Sequence, residues 1–236
     1  TITSDTGEHV GILVREIDFN RNEVEHTALI LAGEFQRLYE GMELSALRIR
    51  YKDYARWRGS DTVKKETKGQ GAYWLKEFQG EIPVLHLPLD FPRPQVQSFA
   101  GSTVDFEIGR EETGALKNRA MEQGTTLFIL LLGLFNILLS KLGGGEDIVV
   151  GTPTAGRGHA ELQNIIGMFV NTLALRNFPA AGKTFADFLQ DVNERTLEAY
   201  ENQEYPFEAL VEKISPRRDT GRSPLFDAMF SLGLET

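Results

Sequence analysis

Ile166-Gly167-Met168-Phe169-Val170-Asn171-Thr172-Leu173-Ala174-Leu175-Arg176 is an apolar run broken by a glycine and by one adjacent polar pair. From Phe169 to Arg176 it is rich in aromatic and β-branched residues. It is bounded by Gly167 on one side and by Asn177 and Pro179 on the other, which favours a core strand over a helix. Asn171 and Thr172 then fall in the middle of a segment expected to be buried. A buried carboxamide without partners costs about 1–3 kcal/mol. Two readings stand: Asn171 satisfies neighbouring backbone groups, or the polar pair marks a site.

The surrounding chain has the means to bury such a strand. Its 236 residues, 41% hydrophobic and 25% charged, describe a globular protein with room for a substantial core. The longest apolar run, Leu127–Leu139, is interrupted by Gly133 and Asn136 and is too short to span a bilayer. Residues Thr1–Asp5 have no basic or apolar character of a signal peptide. With no cysteine, disulfides, thiolate catalysis and Cys-based metal sites are excluded, and the composition fits a cytoplasmic protein. A formal charge of −9 argues against nucleic-acid binding, which needs clustered Lys and Arg.

Periodicity lays out the elements in order. Residues 9–17 fit a strand and, through Val10, Leu13, Val14 and Ile17, also a helix face. We read them as a strand, with 18–22 as a turn. Glu23–Tyr39 reads as a helix with acidic residues in its first turn, closed by Gly41. Tyr51, Tyr54 and Trp57 fall on one face of a helix. Residues 59–71 read as an exposed loop or a helix start, and 72–78 as a helix. Pro83, Pro88, Pro92 and Pro94 make 83–101 an extended connector. Beyond it come a half-buried strand at 102–108, a helix at 111–123, and an apolar interior helix from Thr125 as N-cap to Lys141. Gly143-Gly144-Gly145 stops that helix. A strand at 147–152, the opening strand, helices at 184–200 and 206–214 and a last strand at 223–232 complete a mixed α/β sandwich.

Four segments, taken together, carry a resemblance. Tyr51-Lys52-Asp53-Tyr54-Ala55-Arg56-Trp57, the opening stretch 166–176, Asn202-Gln203-Glu204-Tyr205-Pro206-Phe207-Glu208 and Arg218-Asp219-Thr220-Gly221-Arg222-Ser223-Pro224-Leu225 resemble, in order and spacing, the later core motifs of nonribosomal peptide synthetase condensation domains. The resemblance spans residues 30–236. It implies an α/β fold of the chloramphenicol acetyltransferase-like type, a two-layer mixed-sheet sandwich whose two lobes meet at a tunnel. This chain resembles mainly the second lobe: 1–82 as the end of the first, 83–101 as connector and 102–236 as the second.

The implied activity is peptide-bond formation between a carrier-bound acyl or peptidyl donor and an aminoacyl acceptor thioester. Phosphopantetheine would then sit on partner carrier proteins, with no cofactor on this chain. Gly167, Asn171, Thr172 and Arg157 are implied to line the tunnel or bridge the lobes. Arg217, Arg218 and Arg222 could meet an acidic carrier or its phosphate; solvated loop residues are the plainer alternative. The family's His-His-x-x-x-Asp-Gly signature is absent or degenerate here. Aligning residues 18–22 with its loop leaves no histidine; aligning Ser4-Asp5-Thr6-Gly7 with its end puts the histidines before residue 1. Imidazole chemistry suits a general base, yet His26, in the predicted helix, matches no catalytic position. The four scattered histidines lack metal-ligand spacing. Two alternatives remain: an inactive condensation-like module that binds carriers or partners, and a coenzyme A-dependent acyltransferase, which would not share the four segments.

Overall fold

The computed structural model describes residues 20–98, 101–214 and 220–233. Its helices are α1 (Asn20–Tyr39), α2 (Tyr51–Arg58), α3 (Asp61–Glu66), α4 (Lys68–Glu77), α5 (Arg110–Glu122), α6 (Leu127–Gly143), α7 (Phe185–Glu201) and α8 (Phe207–Ile214). Three strands, β1 (Ile148–Thr154), β2 (Asn171–Asn177) and β3 (Ala228–Met229), form one mixed sheet in the order β2-β1-β3.

α6 is the apolar axis of the core. The Thr126 hydroxyl accepts the Ile129 N–H at its start, and Gly144 ends it at φ +72°, its N–H returning to the Ser140 carbonyl at 2.8 Å. That left-handed position is one glycine adopts without the penalty a side chain brings. Ile129, Leu130, Leu131, Leu132, Phe135 and Leu139 are buried. Leu134, Leu138 and Leu142 instead form an exposed stripe at i, i+4 and i+8, so the helix predicted to be interior all round has one open edge.

β1 runs antiparallel to β2, with Ile148 opposite Asn177 and Thr154 opposite Asn171, and parallel to β3 through Val150–Ala228 and Gly151–Met229. β1 is buried along nearly its whole length, as expected of a strand between two neighbours with helices packed against it. At Gly151 a Cβ would lie 2.6 Å from the Phe226 ring and 2.7 Å from Met229 Cγ; close packing, not backbone conformation, requires glycine there.

Arg176 ties α4 to the sheet. It grips Asp147 with Nε and Nη2 at 2.9 and 2.7 Å, and donates to the Glu77 and Glu81 carbonyls at 3.0 Å each. The guanidinium is nearly buried, and this geometry, led by the hydrogen bond to Asp147, raises its pKa still further. A bidentate fork is what makes burying such a cation tolerable. Trp74 and Phe78 share one buried cluster with α6, α7 and all three strands.

Several expectations shift. The opening strand starts at Asn171, because Phe169 is drawn off into an aromatic cluster with Tyr51 and Tyr54. Residues 20–22, expected in a turn, begin α1; the predicted strand 9–17 lies outside the described residues. The polar stretch 59–71, read as an exposed loop or a helix start, holds α3 and the first turn of α4, with Ser60 Oγ capping Val63 N–H. Thr126 caps α6, not Thr125. Residues 102–108 form no strand: no described strand lies alongside to complete the ladder, and Val104 stays 82% exposed. The last strand shrinks to two residues. Connector 83–94 has no regular structure, as its prolines require.

Position on α6 governs the cost of truncation. Leu132→Ala, at a fully buried site, should lose about 3 kcal/mol through lost transfer energy plus a cavity, whereas Leu138→Ala on the open stripe should stay within about 1 kcal/mol; urea unfolding of both variants checks the difference.

Candidate functional site

The loop Asn202–Phe207 between α7 and α8 gathers side chains from three distant segments. From β2, Asn171 Nδ2 donates to the Gln203 and Tyr205 carbonyls at 2.7 and 2.8 Å, and Asn171 Oδ1 accepts the Phe207 N–H at 3.2 Å. The last of these N–H groups opens α8, one of the amides a helix cannot satisfy by itself. From α4, Trp74 Nε1 donates to the Asn202 carbonyl at 2.9 Å. From α2, Arg58 takes the Glu204 carboxylate at 2.8 Å and its backbone carbonyl at 2.6 Å. Tyr205 lies against Gly71, where a Cβ would stand 2.7 Å from its ring, and Lys213 donates to its hydroxyl at 2.7 Å.

A second loop, 156–170, returns β1 to β2 and folds around Arg157. This guanidinium is 9% exposed. It donates to the carbonyls of Leu162 (2.5 Å), Ile165 (2.8 Å) and Gly167 (3.4 Å), and sits 4.1 Å from the centre of the Phe169 ring. Carbonyl dipoles and an aromatic face here solvate a cation withdrawn from water. Gly156, at φ +63°, passes so close to the Phe169 carbonyl that a Cβ would overlap it, at 1.8 Å. Gly167 is covered by the Tyr51 ring, 2.1 Å from an added Cβ, and the Tyr51 hydroxyl donates to the Met168 carbonyl at 2.9 Å. Leu162, Ile165 and Phe169 form their own buried cluster with Ile49, Tyr51 and Tyr54.

Loop 156–170 also forms walls of two clefts that share Ile49 and Glu161. One, of about 410 Å³, lies between it and α2, with Tyr54, Trp57, His159 and Glu204 in its lining. Burial is the main cause that raises the Tyr54 pKa, with Arg58 opposing, so its hydroxyl stays a neutral donor at ordinary pH. The other, of about 570 Å³, lies against α1 and the segment 44–49. There His26 Nε2 meets the Gln163 carbonyl at 2.7 Å and Arg48 pairs with Glu161 at 3.0 Å. A third cleft, of about 460 Å³, opens between 82–85, 147–149, α8 and 220–227.

The residues singled out from sequence therefore separate. Gly167, Asn171, Thr172 and Arg157 all belong to the β1–β2 return and the strand it feeds, and Asn171 lines none of these three clefts. Thr172 is buried opposite Pro153. Arg222 borders the third cleft and pairs with Asp227 at 2.8 Å; Arg217 and Arg218 lie outside the described residues. Sequence reasoning passed over Arg58 and Trp74. Arg58 sits one residue beyond the aromatic segment that was read, and that adjacency was its only signal. His26 is spent on a backbone carbonyl, and the His159 ring accepts the Glu161 N–H at 3.3 Å. Among the described residues no cluster of His, Asp or Glu could hold a metal ion, and no single helix is long and apolar enough to cross a membrane.

The family model described as Condensation domain matches residues 28–234, taking in every one of these loops. The chain belongs to the condensation-domain family. It is 54% identical over 203 residues to tyrocidine synthase 3 of Brevibacillus parabrevis, covering 86% of this chain and 3% of that protein. Bacitracin synthase 1 of Bacillus licheniformis is 53% identical, with 85% of this chain and 4% of the relative covered. The chain thus spans a small fraction of the relatives it matches. Among solved structures, a four-domain nonribosomal peptide synthetase bound to AMP and glycine is 35% identical at TM-score 0.66, covering 68% of this chain and 12% of that one. The condensation domain of the Monacolin K polyketide synthase shares the fold at TM-score 0.70 and 21% identity, and this condensation-family chain covers half of it.

The Tyr51–Gly167 contact gives a direct check. Gly167→Ala should cost about 2 kcal/mol by overpacking against the ring. In a Tyr51→Ala background the same change should cost much less, so a double-mutant cycle in thermal unfolding should show coupling of about 1 kcal/mol or more.

Proposed function

We propose that this chain is part of a condensation domain that joins a carrier-bound acyl or peptidyl donor to a carrier-bound aminoacyl acceptor with formation of a peptide bond. The observation that carries the reading is that three segments recognisable from sequence, 51–57, 166–176 and 202–208, meet in one place. Arg58 holds Glu204, Tyr51 covers Gly167, and Asn171 holds 203–207. These segments are far apart in the chain, so their meeting in one place fits a constraint on the shape of a site.

In this reading loop 156–170 bridges towards the first lobe and borders the substrate tunnel. Gly167, Thr172, Asn171 and Arg157 set its course, and Arg157 and Asn171 act on backbone geometry instead of on protons. The chain has four histidines and no adjacent pair. With His26 and His159 committed to backbone groups, we assign general-base catalysis to none of them. Outward-facing Leu31, Phe35 and Leu38 of α1 fit packing against the remainder of the first lobe, since an apolar face of that extent is normally covered. Arg222, with Arg217 and Arg218, would meet an acidic carrier or the phosphate of its phosphopantetheine arm, in the cytoplasm.

The test uses the whole parent synthetase module with donor and acceptor carriers loaded, and mass spectrometry of the acceptor-bound product. Wild type should yield the condensed thioester. Arg157→Met should lower its rate by roughly tenfold or more, equivalent to about 1.4 kcal/mol of barrier, while carrier binding is retained. A parent module that binds both carriers and forms no product overturns the reading.

A further inference from the structure

The proline connector is a strap, fastened along its length. At its start the Glu81 carbonyl accepts Arg176 at 3.0 Å. Leu85 and His86 then pack over Gly143 at the end of α6, where a Cβ would lie 3.1 Å from Leu85 Cδ1 and 3.5 Å from the His86 carbonyl oxygen. Arg93 pairs with Asp227 at 3.4 Å. Further on, the Gln97 N–H donates to the Thr220 carbonyl at 2.9 Å, and the Thr220 hydroxyl donates to the Gln95 carbonyl at 2.6 Å. Contacts spaced from Glu81 to Gln97 thus hold an irregular segment against α6 and the sheet.

The helices just before the connector are fastened too. Trp74 of α4 is buried in the main core cluster, and Glu77 pairs with Arg195 of α7. Arg58 on Glu204 and Tyr51 over Gly167 hold α2. The attachment stops short of α1. No residue from His26 to Tyr39 is buried, and α1 adds none to either hydrophobic cluster among the described residues. Gly41 closes α1 at φ +76°, and residues 42–47 are mostly exposed and have no regular structure. Two polar contacts reach from this part of the chain to loop 156–170, His26 Nε2 at the Gln163 carbonyl and Arg48 at Glu161. Both are exposed, where water readily replaces such contacts. Beside them lies the cleft of about 570 Å³.

Hinges are a few loop or element-terminal residues that absorb a change of direction, and the parts that move are those with few buried apolar contacts. We propose that the hinge of this chain is 41–49, and that α1 swings about it against a body that includes α2, α3, α4 and the connector. The swing opens and closes the cleft at loop 156–170. Its functional consequence rests on the condensation reading: α1 belongs with the remainder of the first lobe, so the boundary between moving parts lies ahead of α2 instead of at 83–101. Movement there sets access to the loop that borders the tunnel.

The chain has no cysteine, so nitroxide spin labels attach only where cysteine is introduced. Three double variants share Ala160→Cys in loop 156–170 as reference and carry Ala32→Cys, Lys52→Cys or Val96→Cys, all at exposed positions. Double electron–electron resonance on the 236-residue chain reads the distance distributions. Those from Lys52 and Val96 should be narrow, and that from Ala32 should be roughly twofold broader or more. A narrow distribution from Ala32 overturns the hinge. A broad one from Lys52 puts α2 on the moving side, and a broad one from Val96 makes the connector a free linker; either result also overturns it. These distances do not depend on catalysis, so a parent module that forms no product leaves the hinge standing, and a rigid α1 leaves the condensation reading standing.

Discussion

One carboxamide holds the loop between α7 and α8 in register with β2. Asn171 stands at the first residue of β2, and its three hydrogen bonds reach 32 to 36 residues ahead to the loop that starts α8. An amide suits this task because it offers two donors and an acceptor on one rigid plane. A carboxylate would lack the donors, and an apolar side chain would leave two carbonyls and a helix-opening N–H unpaired. Other anchors of the loop depend on its being in place. Arg58 and Trp74 meet Glu204 and Asn202 with 203–207 drawn against β2.

The second constraint is the buried Arg157, which performs for loop 156–170 what Asn171 performs for 202–207. Both polar groups are spent on main-chain atoms, and both shape irregular backbone that no sheet or helix ladder would hold. Rigid scaffold elements thus carry irregular loops in defined positions, the usual arrangement for sites built on loops. Tyr51 and Tyr54 tie loop 156–170 to α2 and Arg58 ties loop 202–207 to it, so three of the four segments that carry the family resemblance form one connected cluster.

Much of this was legible in the chain. The apolar strand, the interior helix α6, the proline connector and α7 follow from periodicity and caps, which act locally. Asn171 was also flagged, and of the two readings open to it the backbone-satisfying one describes its hydrogen bonds. What sequence did not disclose is governed by distant partners. The alternation at 102–108 has no neighbouring strand to pair with, so the pattern alone could not make a strand. Phe169 reads as strand yet leaves it for the Arg157 guanidinium and the Tyr51 and Tyr54 rings. Leu225 carries no local sign of its left-handed backbone. Arg58 is ordinary in sequence and becomes informative only once Glu204 lies beside it.

The account rests on Asn171 holding 203–207, and hydrogen exchange of an Asn171→Ala variant tests that most directly. If the carboxamide is the clamp, the amides of Gln203, Glu204, Tyr205 and Phe207 should exchange roughly tenfold faster or more, while those of β1 and α6 keep their wild-type protection. Unchanged exchange at 203–207 in the variant would contradict the account.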